Sequence, residues 1–194
     1  MPLALRKAMT RQEFFDWAEA QDERHEFDGF QPVAMTGGSL GHSSIISNIN
    51  FELRSRLRGK TCKPLGPDEG VATVGDTVRY PDAVVTCTKF DPRNRLVPNP
   101  VVVFEVISPS SVRTDRVFKL REYAAVPTIR RYVIVESDTM AVTVQSRDGE
   151  ESFRTAGLTE GDILDLPEIG IEIPVAAIYE GMALGGTENA DAIG

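Results

Sequence analysis

The sequence predicts an α/β protein: a mixed, strongly twisted β-sheet core flanked by α-helices. Three observations lead there. The run Val101-Val102-Val103-Phe104-Glu105-Val106-Ile107 has six apolar residues in seven, the pattern of a central strand covered on both faces. A helical stretch over 113–125 and a second apolar strand over 130–136 follow it. Strand, helix and strand then form a crossover unit whose two strands run parallel, with a right-handed connection. Upstream, Ile45, Ile49, Leu53 and Leu57 recur every four residues and Ile46 widens the stripe, so a helix over 42–58 turns one face to the core. The expected centre of the sheet is 77–87, 100–107 and 130–136, with both helices packed against it.

Composition narrows the class. At 194 residues the chain suffices for one domain with a real core, assigned to 1–182. The small, polar tail over 183–194 is expected to be disordered. Hydrophobic content of 41% and charged content of 26% are those of an ordinary globular protein. A net charge of −8 argues against a broad basic surface that wraps nucleic acid, though not against a small basic groove. Cys62 and Cys87 show neither a CxxC spacing nor clustered histidines, so they suggest no zinc site and no disulfide framework, and read as buried free thiols. With no apolar leader and no run long enough to span a bilayer, the expected location is cytoplasmic.

In chain order, Thr10-Arg11-Gln12-Glu13 matches a capping box that opens a helix over 10–20. Its Phe14, Phe15 and Trp17 offer more apolar surface than one docking face needs. Residues 24–27 and 30–35 flank Asp28-Gly29, a hairpin signal; His25 and Glu26 take exposed strand positions on it by default. Arg54, Arg56, Arg58 and Lys60 gather at the end of the 42–58 helix, where they suit its dipole or, alternatively, form a phosphate-contacting cluster. His42 at the helix start either approaches a phosphate or lies in the loop. Strands are expected over 61–66, 70–74 and 77–87, then 141–145, with a peripheral strand over 164–173 and a helical turn over 175–179.

Two features break local rules, and such breaks mark functional or strained sites. Alternation places Glu105 on the same strand face as Val101, Val103 and Ile107, so it is not the polar side of a half-exposed strand. A buried carboxylate needs a cation, a metal or several donors, and an arginine partner is the plainest solution. Pro81 interrupts the 77–87 run directly before Asp82. Two carboxylates on adjacent central strands supply hard oxygen ligands for Mg²⁺ or Mn²⁺. Lys119, on the helix after the second strand, can stabilise charge on a phosphoryl oxygen.

Tyr80-Pro81-Asp82, Phe104-Glu105-Val106-Ile107-Ser108-Pro109-Ser110, Asp115-xxx-Lys119-xxx-Tyr123 and Arg131-Tyr132-Val133-Ile134-Val135 together resemble the PD-(D/E)XK nuclease superfamily. Within it they resemble the Uma-two family of bacterial restriction endonucleases, from the Thr10 helix to about Gly181. The resemblance implies a restriction-endonuclease-like fold and hydrolysis of DNA phosphodiesters with Mg²⁺ or Mn²⁺. Asp82 and Glu105 would bind the metal with the Val106 carbonyl, and Lys119 would serve catalysis. Ile107 stands where the superfamily signature has its lysine, and the family supplies that lysine from the next helix, where Lys119 stands. Glu26 resembles a recurrent acid of the family's hairpin, an extra metal ligand or a group that supports one. Asp115 either orients Lys119 through an i, i+4 pair or is only a favourable acid in the first turn of its helix. The alternative is a catalytically silent member of the fold that binds nucleic acid or another protein. Cutting both strands of a duplex with one site per chain favours a homodimer, with the aromatic N-terminal helix at its interface.

Overall fold

The structure is a computed structural model that describes residues 9–35, 37–107, 113–147, 149 and 153–184, without the side chains of 113–116. The chain begins with helix α1 (Arg11–Ala18), hairpin strands β1 (His25–Phe27) and β2 (Pro32–Ala34), and helix α2 (Leu40–Arg56). Four short strands follow: β3 (Lys63–Leu65), β4 (Val71–Ala72), β5 (Val78–Arg79) and β6 (Ala83–Thr86). Then come β7 (Pro100–Ile107), α3 (Arg113–Ala124), β8 (Arg131–Glu136), β9 (Ala141–Ser146) and β10 (Arg154–Thr159). Strands β11 (Ile163–Leu166) and β12 (Ile171–Pro174) and helix α4 (Val175–Ile178) complete the described elements.

The expected core is present. Among the described residues, the larger sheet has the order β10-β9-β8-β7-β6-β3, with β6, β7 and β8 side by side at its centre. Strands β7 and β8 are parallel, pairing Val103 with Tyr132 and Glu105 with Ile134, while β6 and β9 run antiparallel to their neighbours, so the sheet is mixed. One face carries Ala83, Val85, Val102, Phe104, Val133 and Val135 against Ile45, Ile49 and Leu53 of α2 and Leu57 at its C-cap. The other carries Val84, Val103, Tyr132 and Ile134 against Leu120 and Tyr123 of α3. A strand buried on both faces has no polar side, which is why β7 reads as a continuous apolar run.

Several expectations change in detail. The 77–87 run is two strands, not one: β5 joins a smaller sheet ordered β2-β1-β5-β4, while β6 joins the larger. Pro81 lies at the break, where it has no N–H to give a ladder. Cys62 and Cys87 are joined in a disulfide rather than free. The β3–β6 register pairs Lys63 with Thr86, so the next positions outward, 62 and 87, stand opposite each other. The 164–173 segment is a hairpin of β11 and β12 rather than one strand, and β10 was not anticipated. Helix α2 starts at Leu40 with Ser39 as its cap, which brings His42 into the first turn.

Helix α1 has the expected capping box: Glu13 N–H donates to the Thr10 hydroxyl and Thr10 N–H to the Glu13 carboxylate. Phe14 is buried and stacks on Phe27 with ring centroids 5.0 Å apart; Phe15 is buried too. Trp17 is half-buried, with its ring edge-on to His25. Phe14 and Phe15 thus pack within this chain, while Trp17 keeps part of its surface exposed. The β1–β2 hairpin forms as expected, with Gly29 at φ +87° in its turn, where a side chain would be strained. Among the described residues no helix is long and apolar enough to cross a membrane. The tail residues 185–194 lie outside the described residues.

Candidate active site

The site is assembled at one end of the β6–β7 pair. Ala83 is paired with Phe104 in the antiparallel ladder, so Asp82, one residue before β6, stands opposite Glu105. Opposed residues share a sheet face, with Cβ atoms roughly 4.5–5.5 Å apart. Val106 N–H donates to Asp82 Oδ2 at 2.6 Å, which ties the two strands together where the ladder ends. Glu105 is 6% exposed.

Helix α3 closes the site from the face that Glu105 occupies. Lys119 Nζ lies 3.2 Å from both Glu105 oxygens, and one turn later the Tyr123 hydroxyl donates to Glu105 Oε1 at 2.8 Å. The smaller sheet contributes Glu26 from β1, whose Oε1 is 3.1 Å from Lys119 Nζ. Lysine therefore bridges two carboxylates from different sheets. Glu26 is buried, not exposed as its place on the hairpin suggests, because the β1–β5 pairing turns it toward α3. Arg79 on β5 completes this side: Nη1 donates to Glu26 at 2.9 Å, and Nε and Nη2 donate to Glu122 at 2.7 and 2.8 Å.

His42 enters from α2. Its Nε2 is 3.1 Å from the Val106 carbonyl and 3.7 Å from Asp82 Oδ2. A Cβ on Gly38 would lie 2.3 Å from the His42 ring, so glycine at 38 makes room for this rotamer. The expected set of Asp82, Glu105, Lys119, Glu26, His42 and the Val106 carbonyl is thus gathered in one place. The side chain of Asp115 lies outside the described residues. Among the described residues no arginine partners Glu105: Arg79 serves Glu26 and Glu122 instead, and Glu105 takes Lys119 and Tyr123.

The electrostatics follow from this crowding. Burial pushes the Glu105 carboxyl from 4.5 up to about 7; Lys119 opposes the shift, and Asp82 and Glu26 add to it. Burial likewise raises Asp82 from 3.8 to about 6, against the Val106 N–H, Lys119 and Arg24. Both acids thus hold protons more tightly than in water, because burial disfavours the charged form by more than Lys119 and the other donors restore. Among the described residues no three His, Cys, Asp or Glu side chains form a metal cage by themselves. Two carboxylates and a carbonyl nonetheless suit Mg²⁺, which keeps several waters and takes one or two protein carboxylates plus substrate oxygens. The donor set fits such an ion.

Sequence reasoning missed three participants: Arg79, Glu122 in its role, and Tyr123 in its role. Glu122 and Tyr123 follow Lys119 at i+3 and i+4, the spacings that share a helix face, so that signal was available. Arg79 had none, because its partners depend on how the smaller sheet meets α3.

A mixed sheet with helices on both faces and acids at the end of its central strands defines the restriction-endonuclease-like class of the PD-(D/E)XK superfamily. The fold is shared with a crystal structure described as a putative nuclease belonging to DUF820 from Anabaena variabilis, at a TM-score of 0.72 and 15% identity, over 88% of this chain and 97% of that one. The family model Uma2, described as "Putative restriction endonuclease", matches residues 11–176. The chain is 32% identical to the "Uncharacterized protein slr1290" of Synechocystis over 90% of its length and 93% of that protein's. It is 22% identical to a second Synechocystis protein, "Uncharacterized protein sll1609", over 79% and 89%. This chain belongs to the Uma2 family.

Proposed function

We propose that the protein is a metal-dependent, endonuclease-like phosphodiesterase that hydrolyses DNA. The observation that carries this reading is the placing of Asp82, just before β6 and bonded by the Val106 N–H, beside Glu105 of β7, with Lys119 3.2 Å from Glu105. Asp82, Glu105 and the Val106 carbonyl would hold Mg²⁺ or Mn²⁺. Such an ion supplies Lewis acidity toward a phosphoryl oxygen and lowers the pKa of a water.

The chain's own residues do the rest. Lys119 donates to the phosphoryl oxygen on which charge accumulates. Glu26 holds Lys119 from the opposite side and so sets its direction. His42, in the first turn of α2, contacts the phosphate at the edge of the site. In the reaction a water oxygen bonds to phosphorus, one P–O ester bond breaks, and the departing oxygen takes a proton, which leaves a phosphomonoester and a hydroxyl end. Because each chain carries one such site, cutting both strands of a duplex calls for two copies, and light scattering is expected to give a dimer mass.

The test is conversion of supercoiled plasmid to nicked and linear forms. Cleavage is expected with Mn²⁺ at least as well as with Mg²⁺, and none with EDTA. Cleavage that persists in EDTA, or survives Glu105→Ala, overturns the reading. Plasmid binding without cleavage under every metal condition points instead to a catalytically silent nucleic-acid-binding module.

A further inference from the structure

We infer that Tyr123 is a positioning residue for the metal-binding carboxylate: its hydroxyl fixes the rotation of the Glu105 carboxyl group so that Oε2 is the oxygen presented to the cation. The inference rests on the metal-dependent reading above and assigns one atom within it.

The geometry separates the two oxygens. Among the described residues, Oε1 accepts from both the Tyr123 hydroxyl, at 2.8 Å, and Lys119 Nζ, whereas Oε2 accepts from Lys119. An ionised carboxylate has about four lone-pair positions, so the oxygen with fewer donors keeps more of them for a metal. The two donors also differ in kind. Tyr123 is fully buried, its ring lies 4.8 Å from that of Tyr132, and Val84, Val103 and Ile129 pack in the same cluster. Such a ring has nowhere to swing. Lys119 sits on a flexible four-carbon stem and is shared with Glu26. To reach a phosphoryl oxygen it must loosen its hold on Glu105. Tyr123 is then the donor that remains, and the carboxyl group keeps its rotation while the lysine turns to substrate. Carboxylates that ligate metals are characteristically held in this way by a hydrogen bond behind the coordinating atom.

The experiment is a calorimetric Mn²⁺ titration of the wild-type protein, Tyr123→Phe and Lys119→Ala. Phenylalanine keeps the ring and removes the hydroxyl alone. Tyr123→Phe is expected to weaken Mn²⁺ binding by roughly 10–100-fold, whereas Lys119→Ala binds at least as tightly as the wild type. A Tyr123→Phe dissociation constant within twofold of the wild-type value overturns the inference, even if the variant melts at a lower temperature, since a purely structural tyrosine would do just that. A wild-type protein that binds no Mn²⁺ overturns the metal-dependent reading and this inference with it. A wild-type protein that binds, beside a phenylalanine variant that binds equally, sinks the tyrosine role alone. If the variant fails to fold, a crystal of the wild-type protein soaked in Mn²⁺ decides. The ion on Oε2, with Tyr123 still bonded to Oε1, supports the assignment; the ion on Oε1, or on both oxygens, contradicts it.

Discussion

Two groups of buried carboxylates meet on either side of Lys119, and they are neutralised to very different degrees. On one side Arg79 gives Glu122 a two-pronged bond and Glu26 a third. On the other, among the described residues, Asp82 and Glu105 have the shared lysine, one hydroxyl, one backbone N–H and the His42 ring at 3.7 Å. The guanidinium fork matches carboxylate geometry and keeps its charge under burial. The hydroxyl and N–H bring dipoles but no charge, and the lysine is divided between groups. The consequence is visible in acidity: Glu105 and Asp82 are pushed to about 7 and about 6. Buried acid is therefore no single category. A compensated cluster fastens the smaller sheet to α3; the under-compensated one beside it leaves two acids that burial makes harder to ionise.

The largest effect should come from the under-compensated side. Asp82→Ala and Glu105→Ala are each expected to remove detectable plasmid cleavage while the far-ultraviolet circular dichroism stays that of the native fold. Next comes the compensated side. Arg79→Met leaves the half-buried Glu122 without its cation and Glu26 with Lys119 alone, and should cost about 3–5 kcal/mol in urea unfolding. Glu105→Gln in the same assay, without metal, should be neutral or stabilising. Equal losses for the two variants would erase the distinction between the clusters.

Lys119→Ala follows, lowering turnover by about 10²–10³-fold, as loss of one transition-state donor does. If cleavage is unchanged, the acids keep their roles and the lysine loses its own. The smallest effect is on pH. Both acids bind protons more tightly folded than unfolded, so between about pH 4 and 7 the native state carries more protons than the unfolded chain. Metal-free stability therefore falls as pH rises through that window, by at most about 1.4 kcal/mol per pH unit for each acid. Urea midpoints in EDTA at pH 5 and pH 8 should show the drop, and Glu105→Gln should shrink it. Saturating Mn²⁺ should reverse it.

The legible parts of this molecule were those written into local pattern. The α2 stripe, the β7 run and the Thr10–Glu13 capping box each place their residues by period or spacing, and each formed as expected. Asp82 and Glu105 were legible because each broke a pattern. What stayed hidden depends on register between segments distant in sequence. The cysteines are 25 residues apart and meet because β3 and β6 pair one particular way, which no spacing rule encodes. Glu26 looked exposed because a hairpin has two faces, and the face that is covered is chosen by the β1–β5 contact and by α3. The 77–87 run reads as one strand because a proline interrupts a single strand and marks a change of sheets with the same local signal.

That change of sheets works as a short tether. Arg79 ends its strand in the smaller sheet, and Asp82 precedes a strand of the larger one, three residues later. Three residues at full stretch span about 10–11 Å at most, and proline at the second step stiffens one torsion of the link. The smaller sheet thus cannot tilt away from α3 without pulling on the segment that carries Asp82. Distortion that loosens the Arg79 clamp is transmitted mechanically to the carboxylate pair, along the backbone as well as through the charges. A substitution on the outer face of the hairpin, far from any phosphate, can therefore change the spacing between the two acids.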